Sequence, residues 1–431
     1  MNGFYKFLYN TIVVPLLWVV LQSARLFNAK IRRAVRGRRD LFRNLENAVG
    51  RLPGGHPRFW FHSSSLGEFE QAKPIIAELK RIAPDAQIVV TFFSPSGYEP
   101  SKKYRLADII SYIPFDSRQN ARKFVDIVKP TAAIMVRYDV WPNHLWQLAR
   151  AGIPVFLANA TMRPTTKRLL PGVRKFHATI YGVFRSILTV TQTDAEMFNR
   201  FGLHDVHIKA IGDTRFDQVL IRRKEAESKH LLPPSITSRK KILVVGSSWE
   251  SDEEVLVPVF NKLQHEESAL LMILVPHEPT LENIERIESM LNGQTTHIRF
   301  SSLIDYNKHR VIIVDSIGVL VALYKYAHVA YVGGGYKAGV HNVLEPAVYG
   351  IPVVYGPRHQ NSQEAVMLQK EKAGFVVEDE KGMYRVLRRL LGEEKVRTAA
   401  GKHASAFVNR NAGATQCFLE SLYEYLPGKK E

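Results

Sequence analysis

Apolar positions along this chain fall into one long run followed by many short ones. From Phe4 to Leu21 only Lys6, Asn10 and Thr11 interrupt the apolar side chains. As a helix this run is about 27 Å long, just enough to cross a bilayer core. Pro15 is expected to kink it. Trp18 and the basic residues that follow suit a membrane interface. From residue 58 the pattern changes to short β-prone runs alternating with helix-prone segments. The first series comprises Arg58 to His62, Gln87 to Phe93, Ile109 to Pro114, Thr131 to Val136, Pro154 to Leu157, Ser186 to Thr191 and His207 to Ile211. The second comprises Lys241 to Val245, Leu270 to Val275, His297 to Phe300, Val311 to Val314, Val329 to Val332, Ile351 to Tyr355 and Gly374 to Val377. Such alternation predicts an α/β protein with two doubly wound parallel sheets, ligands lying beyond the carboxyl ends of the strands.

Between the two series, residues 213–239 are polar, charged and carry Pro233-Pro234. The expected organisation is therefore an anchor over 1–30, an N-terminal domain over 31–212 and a linker over 213–239. A C-terminal domain over 240–405 and a closing helix over 406–431 follow. The two domains are expected to face each other across a cleft. A basic helix is predicted from Thr165 to Tyr181.

Charge sharpens this picture. The chain of 431 residues carries a net charge of +18, which calls for a polyanionic partner. Arg25, Lys30, Arg32, Arg33, Arg36, Arg38, Arg39 and Arg43 stand against Asp40 alone, directly behind the apolar run. That placement favours an anionic membrane surface over nucleic acid, for which aromatic and basic residues would interleave. Positive charge after the apolar run keeps the rest of the chain cytoplasmic. The single Cys417 excludes an internal disulfide, and no zinc-type spacing exists.

Candidate chemistry gathers where strands end. Val332-Gly333-Gly334-Gly335 closes one strand, Lys337 follows, and His341-Asn342 is expected to open a helix whose next turn carries Glu345. A glycine loop of this kind offers free N–H groups and a positive helix end to a phosphate, with Glu345 set to accept from ribose hydroxyls. Gly246-Ser247-Ser248 and Pro276-His277 end two other strands of the same series. The acidic run Glu250 to Glu254 reads as a solvated helix start. In the first series Glu68 lies one turn into a helix and is a candidate general base. Ser65-x-x-Glu68 equally fits a capping box in which Glu68 only satisfies a backbone N–H. Arg137 and Asp139 follow another strand and read either as site residues or as a surface ion pair. Arg215, beside Asp213, reads first as an exposed linker charge and alternatively as reaching an anion held between the domains.

These residues carry a resemblance. His62-x-x-Ser65-x-Gly67-Glu68, Trp141-Pro142-Asn143, Ala158-Asn159-Ala160, Gly212 to Asp217, Val275-Pro276, and Val332-Gly333-Gly334 with Gly339-x-His341-Asn342-x-Leu344-Glu345 run in the order found in the Kdo transferases. That family moves 3-deoxy-D-manno-octulosonic acid (Kdo) from CMP-Kdo to a lipid A precursor. The resemblance implies a GT-B fold, an inverting mechanism without a metal ion or other cofactor, Glu68 as base, and a CMP site at the glycine loop with His341, Asn342 and Glu345. It implies a lipid acceptor at the cytoplasmic face of the inner membrane. The chain departs from the family pattern at Arg137, where an acid is usual, and at Asp139, where a Glu is usual. It departs again at Trp249, at His277-Glu278, at Arg215 in place of Lys, and at Val340. Another GT-B enzyme acting on a UDP- or GDP-sugar is the alternative reading, and a non-catalytic membrane-bound relative a third.

Overall fold

Each β-prone run named above is a strand in the computed structural model, which describes residues 2–337 and 339–426. The first series gives β1 (Arg58–Ser63), β2 (Gln87–Phe92), β3 (Ile109–Tyr112), β4 (Ala132–Val136), β5 (Val155–Ala160), β6 (Ser186–Thr189) and β7 (His207–Ala210). They pair in parallel in the order β3-β2-β1-β4-β5-β6-β7. The second gives β8 (Lys241–Ser248), β9 (Leu270–Pro276), β10 (His297–Arg299), β11 (Val311–Ile313), β12 (Val329–Val332), β13 (Val353–Tyr355) and β14 (Gly374–Val376). Their order is β10-β11-β9-β8-β12-β13-β14, again parallel. The strands read as continuous apolar runs because helices cover both faces. Phe59, Trp60 and Phe61 are all fully buried although neighbours point to opposite faces.

Chain order reverses direction between β1 and β4 in the first sheet, and between β8 and β12 in the second. Such switch points open a crevice at the carboxyl ends of the flanking strands.

The chain divides into two compact units, residues 1–218 with 412–431, and residues 219–411. Each has its own cores, one on either face of its sheet. The C-terminal segment returns to the first unit: Phe418, Leu419 and Leu422 pack with Phe61 and Phe69, and Asp217 accepts from the Gly413 and Thr415 N–H groups at 2.6 and 2.8 Å. The stretch 213–239, expected as a connection, contains a helix at Arg215–Glu227. The basic helix expected from Thr165 is interrupted. A 3-10 turn at Lys167–Leu169 ends at extended Leu170, and Gly172, at φ +79° after Pro171, precedes the regular helix, which starts at Val173.

The apolar N-terminal run is helical from Asn2 to Phe27, with a π-helical segment at Tyr9–Val13. Pro15 lies inside this continuous helix, directly after the π-helical segment, and supplies no N–H to the carbonyls of the preceding turn. The π turn spaces inward-facing residues five apart, at Tyr9 and Val14, both buried against the first unit. Tyr9 packs on Trp146 and Phe176, and its hydroxyl donates to Asp116 at 2.8 Å. Most of the remaining surface is exposed and apolar, including Phe4, Phe7, Ile12, Leu16, Val20, Leu26 and Phe27. Gly3–Phe27 is long and apolar enough to cross a membrane.

Candidate active site

In the first unit Glu68 and Asp139 follow β1 and β4, the two strands that flank the switch point. Glu68 is 7% exposed and caps its own helix. Its Oε2 accepts the Ser65 N–H at 3.0 Å and the Ser65 hydroxyl. The capping box is thus present, and both Ser65 bonds fall on one carboxylate oxygen.

Asp139 pairs with His62 rather than with Arg137. His62 Nε2 lies 2.7 Å from Asp139 Oδ2, and Nδ1 lies 2.9 Å from the Thr91 hydroxyl. The Thr91 oxygen already accepts the Trp60 indole N–H at 2.8 Å, so its own proton is available to Nδ1. The neutral ring that fits this chain of bonds carries its proton on Nε2 and donates it to Asp139. The Trp141 N–H, 3.1 Å from His62 Nε2, is also a donor and shares the same carboxylate. Burial raises the Asp139 carboxyl, but His62 and the bonds from Ser64 and Trp141 outweigh it and hold the group below its ordinary value. Arg137 stands beside this cluster at φ +63°, and its buried Nε has no hydrogen-bond partner among the described residues.

Arg215 belongs to the first unit and is engaged there. Its Nε and Nη2 donate to Asp213 Oδ2 at 3.0 and 2.7 Å, and its backbone N–H to Oδ1 at 2.9 Å. Gln71 donates to the same carboxylate at 3.0 Å. Burial raises Asp213, yet the Arg215 pair and these bonds leave it below its ordinary value.

In the second unit Ser247, Ser248 and the glycine loop lie at the ends of β8 and β12, again the strands flanking the switch. The loop differs from the expected cradle of free N–H groups. Gly333 N–H donates to Gly246 O at 2.9 Å and Gly334 N–H to Asp252 Oδ2 at 2.8 Å. The glycines are needed for close backbone contact. A Cβ on Gly333 would lie 2.3 Å from Ser247 O, one on Gly334 2.4 Å from Gly339 O, and one on Gly335 2.5 Å from Gly356 N. The helix expected at His341 is one turn, Leu344–Ala347, because Asn342 Oδ1 takes the Leu344 N–H at 3.1 Å in a turn that precedes it. Glu345 Oε1 is held by Arg222 at 2.9 Å and Asn342 at 3.1 Å. Ser247 adopts φ +55°. The Ser248 hydroxyl donates to buried Glu253 at 2.7 Å, and Arg286 pairs with the other oxygen of Glu253 at 2.5 Å.

The acidic run expected to be solvated instead buries Asp252 and Glu253 completely. Asp252 accepts from Tyr331, Trp249 N–H and Gly334 N–H, so it ties both switch-point strands to the loop. Burial pushes its carboxyl up, against those bonds. Three rings gather above the loop. His277 stacks on Trp249 and on His341, each at 4.5 Å between centroids. Trp249 N–H donates to His341 Nε2 at 2.8 Å. Burial, with the neighbouring His277, pushes His341 down to about 4. Exposed Lys337 carries its ammonium 5.6 Å from the Trp249 ring.

Sequence reasoning missed Trp249, Asp252, His62 and Arg222 as site residues. The spacing Trp249-x-x-Asp252, which repeats the cap spacing of Ser65-x-x-Glu68, was the available signal for Asp252. Arg222 had none. No group of three His, Cys, Asp or Glu side chains suited to a metal ion occurs among the described residues.

This architecture is the GT-B fold: two parallel doubly wound units, each with its candidate site at a switch point. It resembles UDP-GlcNAc 2-epimerase from Neisseria meningitidis with a TM-score of 0.60 at 13% identity, over 85% of this chain and all of that one. A family described as 3-deoxy-D-manno-octulosonic-acid transferase (kdotransferase) matches residues 19–218. The 3-deoxy-D-manno-octulosonic acid transferase of Aquifex aeolicus is 30% identical over 395 residues, 89% of this chain and 96% of the relative. That of Haemophilus influenzae is 24% identical over 98% of this chain and 99% of the relative. The chain belongs to the 3-deoxy-D-manno-octulosonic acid transferase family and is a glycosyltransferase.

Proposed function

We propose that the protein transfers Kdo from CMP-Kdo to a hydroxyl of a lipid A precursor, lipid IVA, in lipopolysaccharide biosynthesis, with inversion at the anomeric carbon. The observation that supports this most is that Glu68 and Asp139 flank one switch point while Ser247, Ser248 and the glycine loop flank the other. Glu68 takes the acceptor proton. Both Ser65 bonds fall on Oε2, so Oε1 is the oxygen that meets the hydroxyl. The acceptor oxygen bonds to the anomeric carbon as the bond to the CMP phosphate breaks, and CMP leaves with the electron pair. Asp139, oriented by His62, stays ionised and positions the acceptor. Lys337 offers charge to the departing phosphate. His341 and Asn342 stand at the cytidine nucleotide as neutral hydrogen-bonding groups, with Glu345 oriented by Arg222. Arg215 acts mainly by holding Asp213.

The N-terminal helix is read as an anchor in the cytoplasmic interface of the inner membrane. One of its faces is fastened to the first unit through Tyr9 and Val14, and the rest is apolar and exposed. The basic collar behind it meets anionic lipid.

The test is transfer by detergent-solubilised full-length protein supplied with CMP-Kdo, made in situ, and tetraacylated disaccharide bisphosphate. Products are read by mass spectrometry. A mass gain of one or more Kdo units is expected. Protein that binds UDP in preference to CMP and transfers no Kdo would overturn the reading.

A further inference from the structure

An apolar cavity of about 580 Å³ lies in the first unit under the N-terminal helix, within the roughly 300–1,000 Å³ of ligand pockets. Trp18 and Leu21 of that helix wall one side, Ile31, Val35 and Phe42 another, and Phe93 a third. Arg38 is built into the wall: its guanidinium donates to Ile113 O at 2.8 Å, Ala34 O at 2.8 Å and Phe93 O at 2.7 Å. Lys30 and Arg39 also line the cavity, are exposed, and pair with no carboxylate among the described residues. An occupant must therefore be a long apolar chain with an anionic group near it.

Two contacts join this cavity to the candidate active site. Phe93 stacks on Trp141 at 4.8 Å, and Trp141 shares Asp139 with His62. Ser94, also in the wall, donates its N–H to Ser64 O at 3.0 Å, next to the Ser65 that holds Glu68. The outer face of the helix is apolar and exposed, so a chain can enter from a lipid surface. We infer that this cavity receives one acyl chain of the phosphorylated glycolipid acceptor, with Lys30 and Arg39 meeting a phosphate. The inference rests on the proposed function for the identity of the acceptor.

The test compares full-length wild type with Ala34→Trp and Leu21→Trp, two independent fillings of the cavity. Tetraacylated disaccharide bisphosphate and the same disaccharide fully deacylated serve as acceptors. The ratio of kcat/KM for the acylated over the deacylated acceptor should fall at least about tenfold in both variants, the size expected for one lost apolar contact of that extent. An unchanged ratio in a folded variant overturns the inference. Separately, tetraacylated disaccharide bisphosphate bearing a photoactivatable diazirine acyl chain should label peptides spanning residues 30–42 and 93–95. Equal labelling from phosphatidylcholine vesicles carrying the same diazirine chain would assign the cavity to bulk lipid and overturn it. Labelling by the glycolipid in protein that transfers no Kdo would sink the proposed function while keeping the acyl site.

Discussion

The Trp249 indole N–H donates to Nε2 of His341 at 2.8 Å, so one ring decides the tautomer of the other. His341 keeps its proton on Nδ1 and is neutral, with its pKa pushed down to about 4 by burial and by His277. Among the described residues His341 therefore presents one fixed donor rather than a charge.

Acid should expose this arrangement. The unfolded chain protonates His341 near its ordinary value of about 6.5. The folded unit resists until about 4. Its contribution to stability is present above about 6.5 and is lost as pH falls toward 4. Urea midpoints measured from pH 7 to pH 4 should drop less steeply in His341→Gln than in wild type. His177, also pushed down to about 4 by burial and by Arg168, leaves a residual slope in the variant. Superimposable curves would mean that His341 is not held neutral.

Glu68 both caps a helix and is proposed as the base, and two substitutions separate these roles. Glu68→Gln still accepts the Ser65 N–H, so its melting point should stay near wild type. Its kcat should fall about 10²–10⁴-fold, the usual share of a general base. Ser65→Ala should lose about 1 kcal/mol of stability, with a far smaller loss of rate. A Glu68→Gln enzyme that melts early yet turns over normally would leave Glu68 as a cap only.

Asp252 binds the glycine loop to the strand beside it. Asp252→Ala leaves the buried Gly334 N–H with no acceptor. It should cost about 1–3 kcal/mol and weaken CMP binding, measured by calorimetry. Gly334→Ala should be at least as damaging, since φ +90° and the nearby Gly339 oxygen both oppose a side chain. Full CMP affinity in either variant would detach the loop from the nucleotide site.

Arg215→Ala tests whether that arginine serves the fold or the donor. Asp213 is 4% exposed and would keep only Gln71 and the backbone. Loss of this part-exposed charged partner should cost about 1–3 kcal/mol. The Asp213 carboxyl, held below its ordinary value, contributes stability that is lost as pH falls through its folded value. The acid limb of the stability curve should flatten in the variant. A normal melting point with a raised KM for CMP-Kdo would return Arg215 to the donor site.

Strand positions were legible because parallel strands covered on both faces leave continuous apolar runs between turn residues. The placement of Glu68, Asp139, Ser247 and the glycine loop at the carboxyl ends of strands followed from that alternation, whereas the strand order that puts them at the switch points did not. What was not legible depends on contacts between distant parts of the chain. Nothing near residue 139 says that its partner is His62 rather than Arg137, since β1 and β4 meet only through the sheet. The glycine loop looked like an open cradle because its N–H groups find Gly246 and Asp252, which are distant in sequence. Burial of Asp252 and Glu253 in an acidic run is likewise fixed by Tyr331 and Arg286, both far along the chain.

The five-residue turn at Tyr9–Val13 sets how the N-terminal helix is rotated about its own axis. Removing one residue there would leave a plain α-helix in which the two flanking residues, now four apart, still share a face. With every residue kept and wound as a plain α-helix, Tyr9 and Val14 would stand about 140° apart and no longer share a face. Phe4 and Phe7 would swing relative to Leu16 and Val20. The direction in which this protein offers its apolar surface is therefore a matter of residue count, indifferent to how hydrophobic each position is.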